Sequence, residues 1–213
     1  NWLEDKDLVN DFTTNINQRT EELFRIPDME LDSDGCFEAP VVVLRENVIF
    51  PKMITPVFVG QQKNLESLRY GLENEQTVIT LIPKDPEKEF PVKKSDFYPV
   101  GLEIAVGRLV NLPEEHFSTL VQGRRRVILM DIVRRSPVLM ARVYVSEVEA
   151  KKSRHLEALI RTTRNLFEKC VQLDRKLPDE AVAYASTITD PSWLADMIAT
   201  AISFENEHRK EIL

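Results

Sequence analysis

The apolar spacing of this chain changes period once, and that change limits the folds open to it. Between residues 39 and 149, apolar residues come in short β-branched runs separated by turn formers, at 41–44, 55–59, 77–82, 100–112 and 117–133. The run at 139–148 alternates Leu139, Ala141, Val143 and Val145 with Met140, Arg142, Tyr144 and Ser146, the two-residue period of a half-buried strand. From residue 150 the period becomes helical and stays so. Leu156, Leu159, Ile160, Leu166, Phe167, Cys170 and Val171 form one stripe of about 25 residues that closes near Leu177-Pro178. A second helix runs from Pro178 toward Ile188. The third has Asp190 as N-cap and Pro191 at its first position, and buries Leu194, Met197, Ile198, Ala201 and Ile202. The chain stops at Leu213 inside what reads as a fourth helix.

Among the strands one helix is inserted, at 61–73, where Leu65, Leu68 and Leu72 share a face. Strands and helices do not alternate regularly, so a parallel α/β sheet is disfavoured. The expected fold is α+β: a mostly antiparallel, partly closed β-barrel over 39–149 with one inserted helix, followed by an α-helical bundle subdomain over 150–213. Gly101 and Gly107 read as bulges, residues 122–126 as an interruption, 111–115 as a hairpin loop, and 83–99, with four prolines, as the one long loop.

Charge separates a third region. The net charge is −7, yet residues 1–40 alone hold 11 acidic and 3 basic side chains, so the remainder is nearly neutral. Within this acidic extension (1–38), Leu8, Val9, Phe12, Ile16, Leu23 and Phe24 recur at near-helical spacing, which predicts a helix over 3–25, ended by Pro27 and followed by a polar linker. The first residue is Asn1, no leader pattern follows it, and no apolar stretch approaches the roughly 20 residues of a membrane span. The expectation is an internal piece of a longer soluble protein. Cys36 and Cys170 are far apart and read as ordinary thiols of a reducing compartment.

Catalytic patterns are missing from the sequence. No glycine precedes a lysine and no G-x-G-x-x-G occurs, so no phosphate-cradling loop is present. No G-x-S-x-G or S-x-x-K accompanies the serines. His116, His155 and His208 lack metal-ligand spacing. The expectation is therefore no catalytic residue, no metal and no cofactor in this chain.

Two stretches could bind partners. In Val48-Ile49-Phe50-Pro51-Lys52-Met53-Ile54-Thr55-Pro56 the prolines restrict ladder bonding, which suggests an edge or loop; Phe50, Met53 and Ile54 either pack inward or, if exposed, suit unfolded chains. Arg124-Arg125-Arg126 is the densest part of a basic strip. It is either a footprint for RNA, without the aromatic platforms of single-strand binders, or a set of ion-pair partners for the acidic extension or neighbouring subunits.

Val43-Leu44-Arg45, Val48-Ile49-Phe50-Pro51 with Met53, and Pro56-Val57-Phe58-Val59-Gly60 resemble the opening of the amino-terminal domain of the ATP-dependent serine protease Lon. Lys84-Asp85-Pro86, Val100-Gly101 with Ile104-Ala105, Leu120-Val121-Gln122-Gly123 with Arg126, and Asp190-Pro191 with Leu194-Ala195-Asp196 and Ile198-Ala199 follow in that family's order. The resemblance implies a PUA-like β-domain and a helical subdomain that recognise unfolded, misfolded or degron-bearing proteins and aid assembly of a cytoplasmic homohexamer. ATP and Mg are implied only for the AAA+ and serine-protease modules of the full-length enzyme. The start of the inserted helix, Gln61-Gln62-Lys63, is less charged than is common in the family and joins Phe50, Met53 and Ile54 as candidate substrate-binding residues. The alternative is a free-standing PUA-like RNA-binding protein that uses Arg124 to Arg126. Nucleic acid and membrane are not expected partners of a Lon domain.

Overall fold

The structure, a computed structural model, describes residues 23, 25–45, 47–112, 117–146, 150–174, 177–202 and 205–213. Apart from Leu23 and Arg25, the helix predicted over 3–25 lies outside the described residues, as do Pro113, Glu114 and Glu115 of the predicted hairpin loop.

Seven strands carry the first part: β1 (Cys36–Val43), β2 (Ile54–Val59), β3 (Val78–Leu81), β4 (Val100–Val106), β5 (Val110–Asn111), β6 (Phe117–Arg134) and β7 (Met140–Val145). β1 pairs parallel with β3 and antiparallel with β7; β3–β4, β4–β6 and β6–β7 are antiparallel, so the pairings return to their starting strand. β2 and the short β5 attach to the first half of β6. The alternation predicted along β7 holds: Ala141, Val143 and Val145 are buried while Arg142 and Tyr144 reach the surface.

Three expectations are corrected here. The 100–112 run is two strands, because Arg108 and Leu109 leave the ladder between β4 and β5. At Gly107 the ladder does carry an extra residue, since Val106 pairs with Val121 and Val110 with Ser118, so that 107–109 face only Thr119 and Leu120; the Gly107 N–H still donates to the Leu120 carbonyl (2.8 Å). The 117–133 run is not interrupted: β6 is one 18-residue strand. Its irregularity is a bulge, since Leu102 pairs with Arg126 and Ile104 with Gly123, leaving Arg124 and Arg125 opposite the single residue Glu103. The bulge lies at Glu103, then, and not at Gly101. Gly101 has another task, for a Cβ there would sit 2.5 Å from the Thr80 carbonyl oxygen.

The inserted helix, α1 (Gln62–Glu73), lies where Leu65, Leu68 and Leu72 place it, with Leu65 and Leu68 buried. Buried Asn64 ties it to β1 by accepting from the Val43 N–H (2.8 Å) and donating to the Val43 carbonyl (2.9 Å). One core gathers Phe37, Val41, Ile79, Leu81, Val127 and Val143, and a second gathers Val42, Leu65, Leu68, Leu102, Ile104 and Val121. The opposite faces of β1 thus feed different cores, and β6 contributes Val121 to one and Val127 and Leu129 to the other.

The second part is helical: α2 (Arg154–Leu173), α3 (Glu180–Thr187), α4 (Pro191–Ala201) and α5 (Asn206–Ile212). The Ser153 hydroxyl caps α2 by accepting from the Leu156 N–H (3.1 Å), and the Asp190 carboxylate caps α4 by accepting from the Trp193 N–H (3.0 Å). α2 has 20 residues, shorter than its stripe suggested, and α3 begins at Glu180 instead of Pro178. Phe167, Val171, Ala185, Ile188, Leu194 and Ile198 form the helical core. Leu159 and Leu166 do not join it; they are about half exposed. α5 follows the predicted fourth-helix position. A small cluster of Val48, Phe50, Ile82 and Ala199 joins the helices to the sheet.

Candidate functional site

The chain between β1 and β2 is pinned across β6. The Lys52 N–H donates to the Gly123 carbonyl (2.8 Å) and the Gly123 N–H to the Met53 carbonyl (2.9 Å), with Lys52 at a φ of 64°. Gly123 is required at this crossing because any Cβ would overlap the Phe50 carbonyl. The pinning drives Phe50 inward to zero exposure, so of the two options the sequence left open, packing inward is the one this residue takes. Arg209 of α5 closes over the Phe50 ring at 5.1 Å and donates to the Val48 carbonyl (3.0 Å). Burial lowers this guanidinium's pKa from its ordinary value.

Past the crossing, β2 alternates. Val57 and Val59 are buried, whereas Ile54 is 38% and Phe58 66% exposed, with exposed Pro56 between them. Met53 is partly buried and packs on the second core. Among the described strands β2 pairs only with β6, so its other edge is open. Phe58, Pro56, Met53 and Ile49 line one side of a recess of about 470 Å³, with Asn206 and Arg209 on the other. Phe58 was not among the sequence candidates, although its place four residues beyond Ile54 puts both on one strand face.

Gln61, Gln62 and Lys63 form a separate place. With Lys88, Glu89 and Phe90 they line a recess of about 640 Å³. Lys63 lies 4.4 Å from the Phe90 ring centroid, and Arg45 holds the facing loop by donating to the carbonyls of Lys88 (2.7 Å) and Glu89 (2.5 Å). Nearby, Asp96 accepts from the Lys88 ammonium (2.7 Å) and from the Lys93 and Val92 N–H groups, which hold its carboxyl at about 2, below the ordinary 3.8. The six candidates therefore occupy a core position, a β2 face and an α1 rim, and are not one site.

The arginine strip is not an open positive surface. Arg124 donates to the carbonyls of Leu23 (2.7 Å) and Ile26 (3.1 Å), and Arg125 to the Glu103 carboxylate (2.7 Å) and the Met29 carbonyl (3.0 Å). Arg126 makes a paired contact to Asp196 (2.5 and 3.0 Å) and donates to the Leu213 carbonyl (2.7 Å). The three side chains are only 18%, 25% and 21% exposed. Ion pairing with the acidic extension, one of the two options open from the sequence, is what Arg124 and Arg125 do through Asp28 (3.6 and 4.0 Å). Fully buried Glu103 was not foreseen; a lone acid inside the apolar run Gly101–Val106 was its only signal.

A mixed sheet with an attached helical bundle thus displays an apolar strand face at an open edge. The family described as the ATP-dependent protease La (LON) substrate-binding domain matches residues 38–213, and the chain belongs to that family. Lon protease 2 of Herpetosiphon aurantiacus is 30% identical over 184 residues, which is 86% of this chain and 22% of that protein. The Lon protease of Xanthomonas oryzae pv. oryzae is 32% identical over 177 residues, 83% of this chain and 21% of that protein. The chain thus spans about a fifth of the length of these relatives. The N terminal domain of Mycobacterium avium complex Lon protease shares the fold at a TM-score of 0.61 and 20% identity, covering 83% of this chain and 89% of that one. A Lon N-terminal domain protein from Xanthomonas campestris does so at 0.55 and 14%, covering 82% and 88%. Among the described residues no helix is long and apolar enough to cross a membrane.

Proposed function

We propose that this chain recognises unfolded or degron-bearing proteins for a Lon-like ATP-dependent protease, and that it takes hold of them on the outer face of β2. The observation that carries this reading is the pair Ile54 and Phe58, displayed on one strand face at an open sheet edge beside a recess of mixed polar and apolar lining. Exposed aromatic and branched side chains in such a place gain from covering apolar segments of any sequence, which suits substrates that share only their unfolded state. The Gln61, Gln62 and Lys63 rim is a secondary contact in this proposal, and Met53 supports the face from beneath. The strand pairings that return on themselves are the basis for classing the β-domain as PUA-like and barrel-forming. ATP and Mg belong to other modules of the full-length protein, a cytoplasmic homohexamer whose main subunit contacts lie in those modules.

The isolated chain should bind casein kept unfolded in solution with a Kd of about micromolar or weaker, since a processive machine must release each segment. Phe58→Asp should weaken that binding at least tenfold, to about tens of micromolar, and leave the unfolding midpoint unchanged. Equal binding by wild type and Phe58→Asp would reject the β2 face. Submicromolar RNA binding lost on changing Arg124, Arg125 and Arg126 to Ala would favour the nucleic-acid alternative.

A further inference from the structure

The segment just before the sheet is held in an unusual way. Residues 25–29, with Leu23, cross the β4–β6 bulge as a strap, and most of the polar contacts that hold it go to its main chain. Arg124 takes the Leu23 and Ile26 carbonyls and Arg125 the Met29 carbonyl, while the Met29 N–H donates to the Glu103 carboxylate (2.9 Å). Only Asp28 adds a side-chain signal, as an anion beside both guanidiniums. The apolar anchors are Leu23, fully buried beside Gly107, and Met29, partly buried against the first core. Contacts of this type read the carbonyls of a helical turn at Leu23 and Ile26, the main chain of Met29, one carboxylate and two apolar side chains, the information content of a peptide-binding site.

Two of the three holding groups, Glu103 and Arg125, are fixed to each other without the strap. Glu103 is fully buried and is fixed independently by the Thr77 hydroxyl (2.7 Å) and by Arg125. The bulge that sets two arginines against this one acid aims all three to the same place. Arg124 Nε is buried and has no acceptor, so the strap does not use every donor offered. Within the strap Asp28 is offset by Arg25, and the acidic character comes from the flanking Glu21, Glu22 and Glu30.

We propose that Glu103, Arg124 and Arg125 form a peptide-binding cradle filled in cis by the chain's own strap, and that an acidic–apolar peptide of a protein substrate takes the strap's place. This deepens the substrate-recognition reading and rests on it. The strap then acts as a resident competitor: being tethered, it presents itself at an effective concentration on the order of millimolar, and incoming peptides must outcompete it.

The test uses the full chain and a fluorescein-labelled peptide of residues 20–31, followed by anisotropy. Wild type should bind the peptide weakly. Asp28→Lys, which sets a cation in the strap beside the two arginines and leaves the cradle intact, should bind the labelled wild-type peptide about tenfold more tightly. Arg124→Ala with Arg125→Ala in that background should abolish binding. A second form keeps the strap sequence unchanged: a protease site inserted between Glu30 and Leu31 is cut, and the labelled peptide should exchange into the cut protein on dilution. No exchange into the cut protein together with no binding to Asp28→Lys would overturn the proposal and make the strap a fixed part of the fold. Binding indifferent to the two arginine changes would overturn it as well. If strap peptide binds by these rules while unfolded casein does not bind at all, the cradle stands and the recognition reading falls. If casein binding depends on Phe58 and is unmoved by cutting the strap, recognition stands and the cradle's part in it falls.

Discussion

Two seams leave β6 within three residues of each other, and they use the same residue type in different physical settings. At Arg124 and Arg125 the sheet meets the strap through single hydrogen bonds to carbonyls and a loose ion pair to Asp28, which is 41% exposed. At Arg126 the sheet meets the helices through a two-point contact to Asp196, which is 4% exposed, and a further bond to the Leu213 carbonyl. Lys52 over the Trp193 ring at 4.1 Å and Arg209 over Phe50 reinforce that second seam. Water competes for the Asp28 ion pair and is excluded from the Asp196 one, so the ion pair of the helical seam is the firmer and that of the strap seam the more easily released.

The contrast can be broken by substitution. Asp196→Ala leaves the Arg126 guanidinium largely buried without its anion and should destabilise the chain by about 3 kcal/mol, read from the urea midpoint. A loss below about 1 kcal/mol would make the two seams equivalent. Replacing both partners, Arg126→Met with Asp196→Leu, should return most of that loss, to within about 1 kcal/mol of wild type, because the desolvation penalty disappears with the charges. If the double variant is no better than Asp196→Ala, the attachment depends on the bond from Arg126 to the Leu213 carbonyl.

On the strap side the expected effects are smaller. Asp28→Ala should change stability by less than about 1 kcal/mol, and the difference should fade in high salt. A salt-insensitive loss as large as that of Asp196→Ala would show the strap seam to be as dry as the helical one. Asp96, outside both seams, is a reference for a hydrogen-bonded carboxylate. Its folded value of about 2 lies below the ordinary 3.8, so its contribution is full above pH 3.8 and is lost as pH falls through 2. Asp96→Asn should melt lower than wild type at pH 7, and the gap should close over that window. A gap that persists at pH 2 would assign the effect to geometry.

Much of this molecule could be read along the chain. The period-two run ending at Val145, the α1 stripe of Leu65 and Leu68, and the Asp190-Pro191 start of α4 are local patterns, and each appears where the spacing puts it. The candidate residues fared unevenly for a physical reason. Apolar character announces that a side chain gains by leaving water, but not whether the fold supplies a place for it. Phe50 and Phe58 are alike in sequence terms; one is fully buried and the other is 66% exposed because the Gly123 crossing turns the first inward.

Period, composition and capping residues set the kind, order and approximate limits of the elements, since those depend on neighbours within a turn or a pleat. The sequence likewise holds no Gly-Lys pair, G-x-G-x-x-G, G-x-S-x-G or S-x-x-K. The pairing of β4 with β6 was decided only in three dimensions, and with it the bulge that sets Glu103 against Arg124 and Arg125. So were the partners of the arginines, which lie 70 to 101 positions away at Asp196 and Leu23. A guanidinium's spacing records that it needs an acceptor; which acceptor it meets depends on the packing of distant segments, and a one-dimensional pattern holds no term for that.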